Sequence, residues 1–543
     1  MARTIGRILL TLVALAITGF VLLVLIGLWD RHEQEITDGL RNIYERYLAS
    51  QADPSSSPRA RAAGETEPAG RGRQVATTQT FQEQPKLVGT GAVGSANQGM
   101  SVALSADGNT VIVGGPGPNN ADRDRPPFAG PAGAAWVFTR VGGWRQQAKL
   151  VGATTDHGGG LWSQGASVAV SGDGNTAIIG GPSDNRTTGA VWVFARSGGV
   201  WTQQGNKLVG SGAGEPPLAP GQGMSVALSA DGNTAIIGGW EAEGAWVFTR
   251  SGSAWSQQGK KLVGTGAVGK ARQGMSVALS ADGNTAIVGG WSDNSKTGAA
   301  WVFIRNGGVW TQQGKKLVGS DAVGSARQAI SVALSADGNT AVVGGSGDNP
   351  WDRHAPFGLG ATGAAWVFTR SGGVWTQQNK LVSTGAVARL GTSVALSADG
   401  NIAIVGGFAE DGGVALVFTR TGGQWAQDKK LVGTGAVGKS APSVALSADG
   451  RVVMLGASND NGGVGAAWVF ARGGAYGAQD SNLVGSGSLG KAAPAASVER
   501  SIGASNDNAG RGAAAVLTRS RAGSDSQDLA TSAASNPAVN FEE

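Results

Sequence analysis

The chain of 543 residues contains no cysteine. That excludes disulfides, thiolate metal sites and a cysteine nucleophile, so the fold has to hold by packing and closure. Histidine is nearly as scarce. His32, His157 and His354 are the only three, far apart in sequence, and no HExxH, GxSxG, Walker or dinucleotide fingerprint stands in a context that gives it a mechanism. Charged residues make up 15% of the chain and the formal charge is +5, but the basic side chains are scattered. No basic stripe tracks a phosphate backbone, and no nucleic-acid partner is expected. Long hydrophobic runs are absent with one exception.

The exception is ILLTLVALAITGFVLLVLIGLW from Ile8 to Trp29, 22 residues without a charge. At 1.5 Å per residue it can cross a hydrocarbon core of about 30 Å. It is longer than a signal-peptide apolar region and ends at Trp29, Asp30 and Arg31 rather than at a small-residue cleavage site, so a retained signal anchor is expected over 8–29. Arg3 and Arg7 precede it, and Asp30, Glu33, Glu35 and Asp38 follow. The positive-inside rule then puts residues 1–7 in the cytoplasm and the rest of this single-pass protein in the periplasm or outside the cell. Ile36, Leu40, Ile43, Tyr44, Tyr47 and Leu48 recur at spacings of three and four. They predict an amphipathic helix over 30–50, either a self-associating stalk or a helix lying on the membrane or on the next domain. Residues 51–78, rich in Pro, Ser, Ala, Gly and Arg, predict a disordered linker, and residues 522–543 a disordered tail.

What is abundant is glycine, 92 residues, with no period of three and a fixed place in a longer repeat. SVALSADGNT begins at Ser101, returns as SVAVSGDGNT at Ser167, and recurs in close form at Ser225, Ser276, Ser331, Ser393 and Ser443. The unit starting at Ser276 shows its parts: SVALS, turn ADGN, TAIVGG, loop WSDNSKTG, AAWVFIR, turn NGG and VWTQQGKKLVG. Each apolar piece is rich in Val, Ile, Trp, Phe or Thr and is bounded by Gly, Asp or Asn, the pattern of short strands joined by tight turns. A lone four-stranded sheet of this kind exposes two apolar faces. Stacking the sheets radially into a closed ring buries both. The fold expected over 79–521 is therefore an all-β propeller of seven to eight four-stranded blades, preceded by one transmembrane helix. Trp301 and Phe303 fall on one face of the third strand and Val302 on the other. Because WVF recurs at Trp136, Trp192, Trp246, Trp366 and Trp468, these tryptophans are assigned to architecture, as are Trp144, Trp201, Trp255, Trp310, Trp375 and Trp425 of the fourth strand. SVERSIGASNDN through GAAAVLTR, after residue 497, echoes the seventh unit. Eight blades are favoured narrowly, the eighth completed by FQEQPKLVG near residues 81–89.

The unit resembles the FG-GAP repeat of integrin α-subunit propellers and bacterial surface proteins, over roughly residues 81 to 520. The matching pieces are GxSVA at Gly99–Ala103 and Gly274–Ala278, Gly115 with Pro116, Gly181 with Pro182, and GAAWVF at Gly298–Phe303. Gln98, Gln164, Gln222 and Gln273 stand where that family has the aromatic of "FG". The family's calcium loop is shortened here. Each first turn offers one carboxylate, such as Asp107, Asp231 or Asp282, which suits an Asx turn better than a cation site. No metal or cofactor is expected.

The ADGN and SGG turns barely vary, whereas the second-to-third loop ranges from WEAEG at 240–244 to PGPNNADRDRPPFAGPAG at 116–133. Function is expected on that variable face. Candidate ligand-binding residues are Asp122, Arg123, Asp124 and Arg125 in one long loop, Trp351, Asp352, Arg353 and His354 in another, and the loop-entry aromatics Trp240, Trp291 and Phe408. In an eight-bladed ring the two long loops would face each other across the axis. The sequence thus predicts a membrane-anchored, extracytoplasmic module that binds a protein or glycan and is not an enzyme. A structural scaffold in an envelope assembly is the alternative, and a periplasmic propeller enzyme a third reading.

Overall fold

In the computed structural model the described residues are 81–92, 94–117, 133–153, 163–212, 220–239, 241–349, 360–410, 412–437 and 442–473. They form seven four-stranded antiparallel sheets, each in simple sequence order except the last. Counted by their innermost strands, the blades begin at Ser101, Ser167, Gln222, Ser276, Ser331, Ala388 and Pro442. The fourth is representative, with strands Ser276–Leu279, Thr285–Gly290, Ala299–Asn306 and Val309–Gln312.

Turn chemistry fixes the strand ends. In the first turn of the fourth blade Ser280 Oγ donates to Asp282 at 2.5 Å, Asn284 donates to the same carboxylate from its backbone (2.9 Å) and its amide (3.0 Å), and the Thr285 N–H returns to Ser280 Oγ at 2.9 Å. This is the predicted Asx turn, which satisfies the backbone locally. In the third turn Gly307 (φ 55°) and Gly308 (φ 82°) are both left-handed, as the two-residue hairpin that matches strand twist requires.

Alternation in the third strand divides the core. Trp301 and Phe303 pack with Ile236 and Val247 of blade three, while Ala300 and Val302 pack with Val343 and Trp366 of blade five. Seven such clusters fill the seven interfaces between neighbouring blades. The six WVF tryptophans are fully buried.

A polar joint accompanies the apolar one at blades one to five. The glycine of KLVG lies so flat against the next blade's tryptophan that a methyl group at Gly264 would overlap the indole of Trp301. A buried glutamine then closes on that glycine from the linker. Gln273 accepts from the Gly264 N–H at 2.6 Å and donates to its carbonyl at 2.9 Å. Gln98, Gln164, Gln222 and Gln328 repeat this on Gly89, Gly152, Gly210 and Gly319. The glutamine at the "FG" position is thus a structural clamp. At blade six all three partners change together: Ser383 replaces the glycine, Leu390 the glutamine and Leu416 the tryptophan, and the joint becomes apolar around Leu390 and Leu416.

Closure is complete at seven. Backbone N–H groups of Ala106, Gly172, Ala230, Ala281, Ala336, Ala398 and Ala448 each donate to the next carbonyl round the ring, the last returning to Ala106 at 3.0 Å. At the other end of the inner strands, Ser101, Ser167, Ser225, Ser276, Ser331, Ser393 and Ser443 hydroxyls each donate to a carbonyl of the following blade, and Ser443 reaches Gly99 at 2.9 Å. The expected eighth blade is therefore corrected. Phe81–Glu83 pairs antiparallel with Ala466–Arg472 as the outer strand of blade seven, and Leu87 bridges to Ala467. Two complete hydrogen-bond rings leave no gap for another sheet. The predicted anchor at 8–29, stalk at 30–50, linker, last repeat and tail lie outside the described residues. No helix among the described residues is long and apolar enough to cross a membrane.

Two measurements test these joints. Gln328→Leu alone should cost about 2 kcal/mol in denaturant unfolding, since it strands buried backbone groups of Gly319. Adding Gly319→Ser and Trp366→Leu, the blade-six combination, should be less damaging than the sum of the single changes. The second test uses pH. Partial burial pulls the carboxyls of Asp107, Asp173, Asp231, Asp282, Asp337 and Asp399 upward, but the serine and asparagine hydrogen bonds outweigh it and hold them below the ordinary aspartate value. A depressed carboxylate stabilises the fold above its unfolded value of 3.8, and that contribution is lost as pH falls through the lower folded value. Melting temperature should hold level above about pH 5 and drop below the usual aspartate range, with a shallower acid drop in Ser335→Ala.

Candidate functional site

The second-to-third loops and the linkers between blades share one face, tied to each other by backbone bonds such as Asn294 N–H to the Val268 carbonyl at 2.9 Å and Gln328 N–H to the Thr297 carbonyl at 2.8 Å. A loop aspartate anchors this lattice in four blades. Asp184, Asp293, Asp348 and Asp460 are buried and pair with Lys207, Lys316, Lys380 and Lys86 at 2.5–2.8 Å. Asp293, Asp348 and Asp460 also accept from the N–H of Val268, Val323 and Val437 at 2.7 Å. These charges are neutralised within the protein and hold the loops in place.

Blade four departs from this regularity. Trp291, a predicted binding residue, is half-buried at the loop entry, with the guanidinium of Arg272 at 5.2 Å and that of Arg327 at 5.6 Å from its ring centre. Arg272 comes from the linker before the blade and Arg327 from the linker after it. Such cation–π contacts are worth about 0.5–1 kcal/mol each at exposed sites, enough to orient both guanidiniums. Glu241, from the neighbouring loop, pairs with Lys270 and lies 3.4 Å from Arg272. Glu243 takes the backbone N–H groups of Arg272 (2.8 Å) and Gln273 (3.3 Å), fixing the linker from below. Arg327 is exposed and has no carboxylate partner among the described residues; its backbone N–H donates to the Lys296 carbonyl at 2.8 Å, which sets Lys296 beside it. The cluster is cationic, rigidly based and open to solvent.

Phe408 is placed differently. It is a strand residue, cross-strand to Ala388 and Gly413 and half-buried in blade six. Asp122, Arg123, Asp124, Arg125, Trp240, Trp351, Asp352, Arg353 and His354 lie outside the described residues. The seven-fold ring does correct the geometry expected of the two long loops. They belong to blades one and five, which in a ring of seven are three steps apart by the shorter way and not opposite. Sequence reasoning missed Lys270, Arg272, Lys296 and Arg327. The signal was present: the position before each clamp glutamine reads Asn97, Ser163, Gly221, Arg272 and Arg327, and Arg389 holds it before Leu390, so cations arrive at three successive blades. No group of three or more His, Cys, Asp or Glu among the described residues is placed to hold a metal ion.

No family model and no curated protein matches the chain. Among solved structures, the chain is similar to a Bacteroides uniformis protein described as a candidate 6-phosphogluconolactonase, at 14% identity and a TM-score of 0.43, over 62% of this chain and 85% of that one. At that similarity nothing about this chain's chemistry follows from the neighbour.

The two kinds of tryptophan are separable by experiment. Trp301→Ala should destabilise the ring by about 3–5 kcal/mol. Trp291→Ala should cost no more than about 2 kcal/mol, while releasing the two arginines, which would appear as faster side-chain motion in NMR relaxation of their guanidinium groups.

Proposed function

We propose that the protein is a recognition module that binds a protein or glycan through its variable loop face, tethered to a membrane by residues 8–29, and that it is not an enzyme. One observation carries the reading. The clamps, Asx turns and hydroxyl rings recur from blade to blade and serve the architecture, whereas among the described residues the Arg272–Trp291–Arg327 arrangement occurs at one blade. A side-chain set that breaks the repeat on an exposed face is a surface kept for contact. The resemblance to the FG-GAP repeats of integrin α-subunit propellers and bacterial surface proteins supports the same reading.

The test is a binding screen of the full chain against glycan and envelope-protein arrays, repeated with alanine at Arg123, Arg125, Trp351 and Arg353 and, separately, at Trp291. Ligand capture that falls at least tenfold in either loop-face set establishes the recognition face. Capture unchanged by both sets, or turnover of a captured ligand, sinks the proposal.

A further inference from the structure

We infer that the loop face of blade four is a binding subsite for an acidic polysaccharide, with Arg272, Arg327, Lys270 and Lys296 as its cations and Trp291 as the spacer that orients the two guanidiniums. The inference rests on the loop-face reading above and names the chemistry that one part of the face takes.

Arg272, Lys296 and Arg327 have φ of 56°, 72° and 54°, all left-handed. This region favours glycine, and a long side chain there is strained. The same fold has the unstrained solution elsewhere. Gly221 (φ 60°) occupies the position of Arg272 and Arg327 in blade three, and Gly463 (φ 94°) occupies that of Lys296 in blade seven. At the position of Arg272 and Arg327 the other blades carry Asn97, Ser163 and Arg389, also left-handed, so the strain belongs to the joint; what sets this patch apart is that two such side chains are cations held on one indole.

The charge balance points outward. Two guanidiniums flank one indole, Lys270 and Lys296 lie in the adjoining linker and loop, and among the described residues Glu241 is the carboxylate paired with them, shared between Lys270 and Arg272. Lys296 and Arg327 are exposed and have no carboxylate partner among the described residues. Two guanidiniums held on one ring cannot both collapse onto Glu241, so an external anion completes the site. Planar guanidinium forks match carboxylate and sulfate oxygens in pairs.

The class of anion follows from how the patch is built. A protein interface places apolar residues at its centre and charge at its rim. Here the guanidiniums are held on an aromatic ring, and the exposed apolar residues of the same two linkers are the single valines Val268 and Val323, 54% and 47% exposed. The cations come from two successive linkers and the loop between them, so they are spread along the ring. An extended, hydrated chain with a carboxylate on every sugar meets such a row without needing a cleft.

The test measures full-chain binding to hexagalacturonate by calorimetry, beside its methyl ester, poly-glutamate of equal charge and a single-stranded oligonucleotide. Binding to the acid but not the ester is expected, weakening with salt as Debye screening requires. Arg327→Gln and Lys296→Gln should each lower affinity at least tenfold, Arg327→Lys less so, while Lys315→Gln on the outer rim should leave it unchanged. Equal losses in Arg327→Gln and Lys315→Gln, or tighter binding of poly-glutamate or oligonucleotide than of the glycan, overturn the inference. Neutral-glycan or protein binding that depends on Trp351 and Arg353 but not on Arg327 overturns it too, and leaves the broader recognition reading standing.

Discussion

Everything in this ring depends on the fact that a blade has two apolar faces and no other way to cover them. Trp301 and Phe303 turn towards one neighbour and Ala300 and Val302 towards the other, so no blade can be stable with a vacant side. With about 1.5–3 kcal/mol for each fully buried large side chain, the driving force for stacking far exceeds that of any single polar contact. The polar contacts set the geometry instead. The glycine–tryptophan–glutamine joint sets the spacing at the five interfaces that carry it, and the two hydrogen-bond rings fix the number of blades.

Blade six shows that the joint can be exchanged as a set. A glutamine without its glycine would be a buried amide with nothing to bind, and a tryptophan without that glycine would collide with a side chain. The sequence resolves both at once, through Ser383, Leu390 and Leu416. This is consistency across levels in a natural repeat, and it explains why a chain so uniform tolerates one unit of different character.

Much of this was legible in the residues. The SVALSADGNT and WVF motifs gave the four strands, the facing of Trp301 and Val302, and the Asx role of Asp282, because period-two alternation and Asp-Gly turns act locally. The variable face was legible too, since loops that differ among otherwise equal units stand out. Blade number was not. FQEQPKLVG reads equally well as the outer strand of a seventh or an eighth sheet, and only the return of Ala448 to Ala106 decides. The cation cluster escaped for a related reason: Arg272, Trp291 and Arg327 lie in three separate segments, and nothing local in the sequence says that the linkers on either side of a loop converge on it.

The seam has a temporal consequence. Lys86 and Asp460, which meet across it, are 374 residues apart in the chain, so the first strand to be synthesised is the last to find its place. Until it docks, the third strand of blade seven presents an unpaired edge, the kind of surface that recruits a second chain. Six blades can assemble in order as they emerge, each on the one before. The seventh waits for a segment made at the start, and the time of that wait, set by long-range closure rather than by local folding, is when the chain is most exposed to exchanging its strand with a copy of itself.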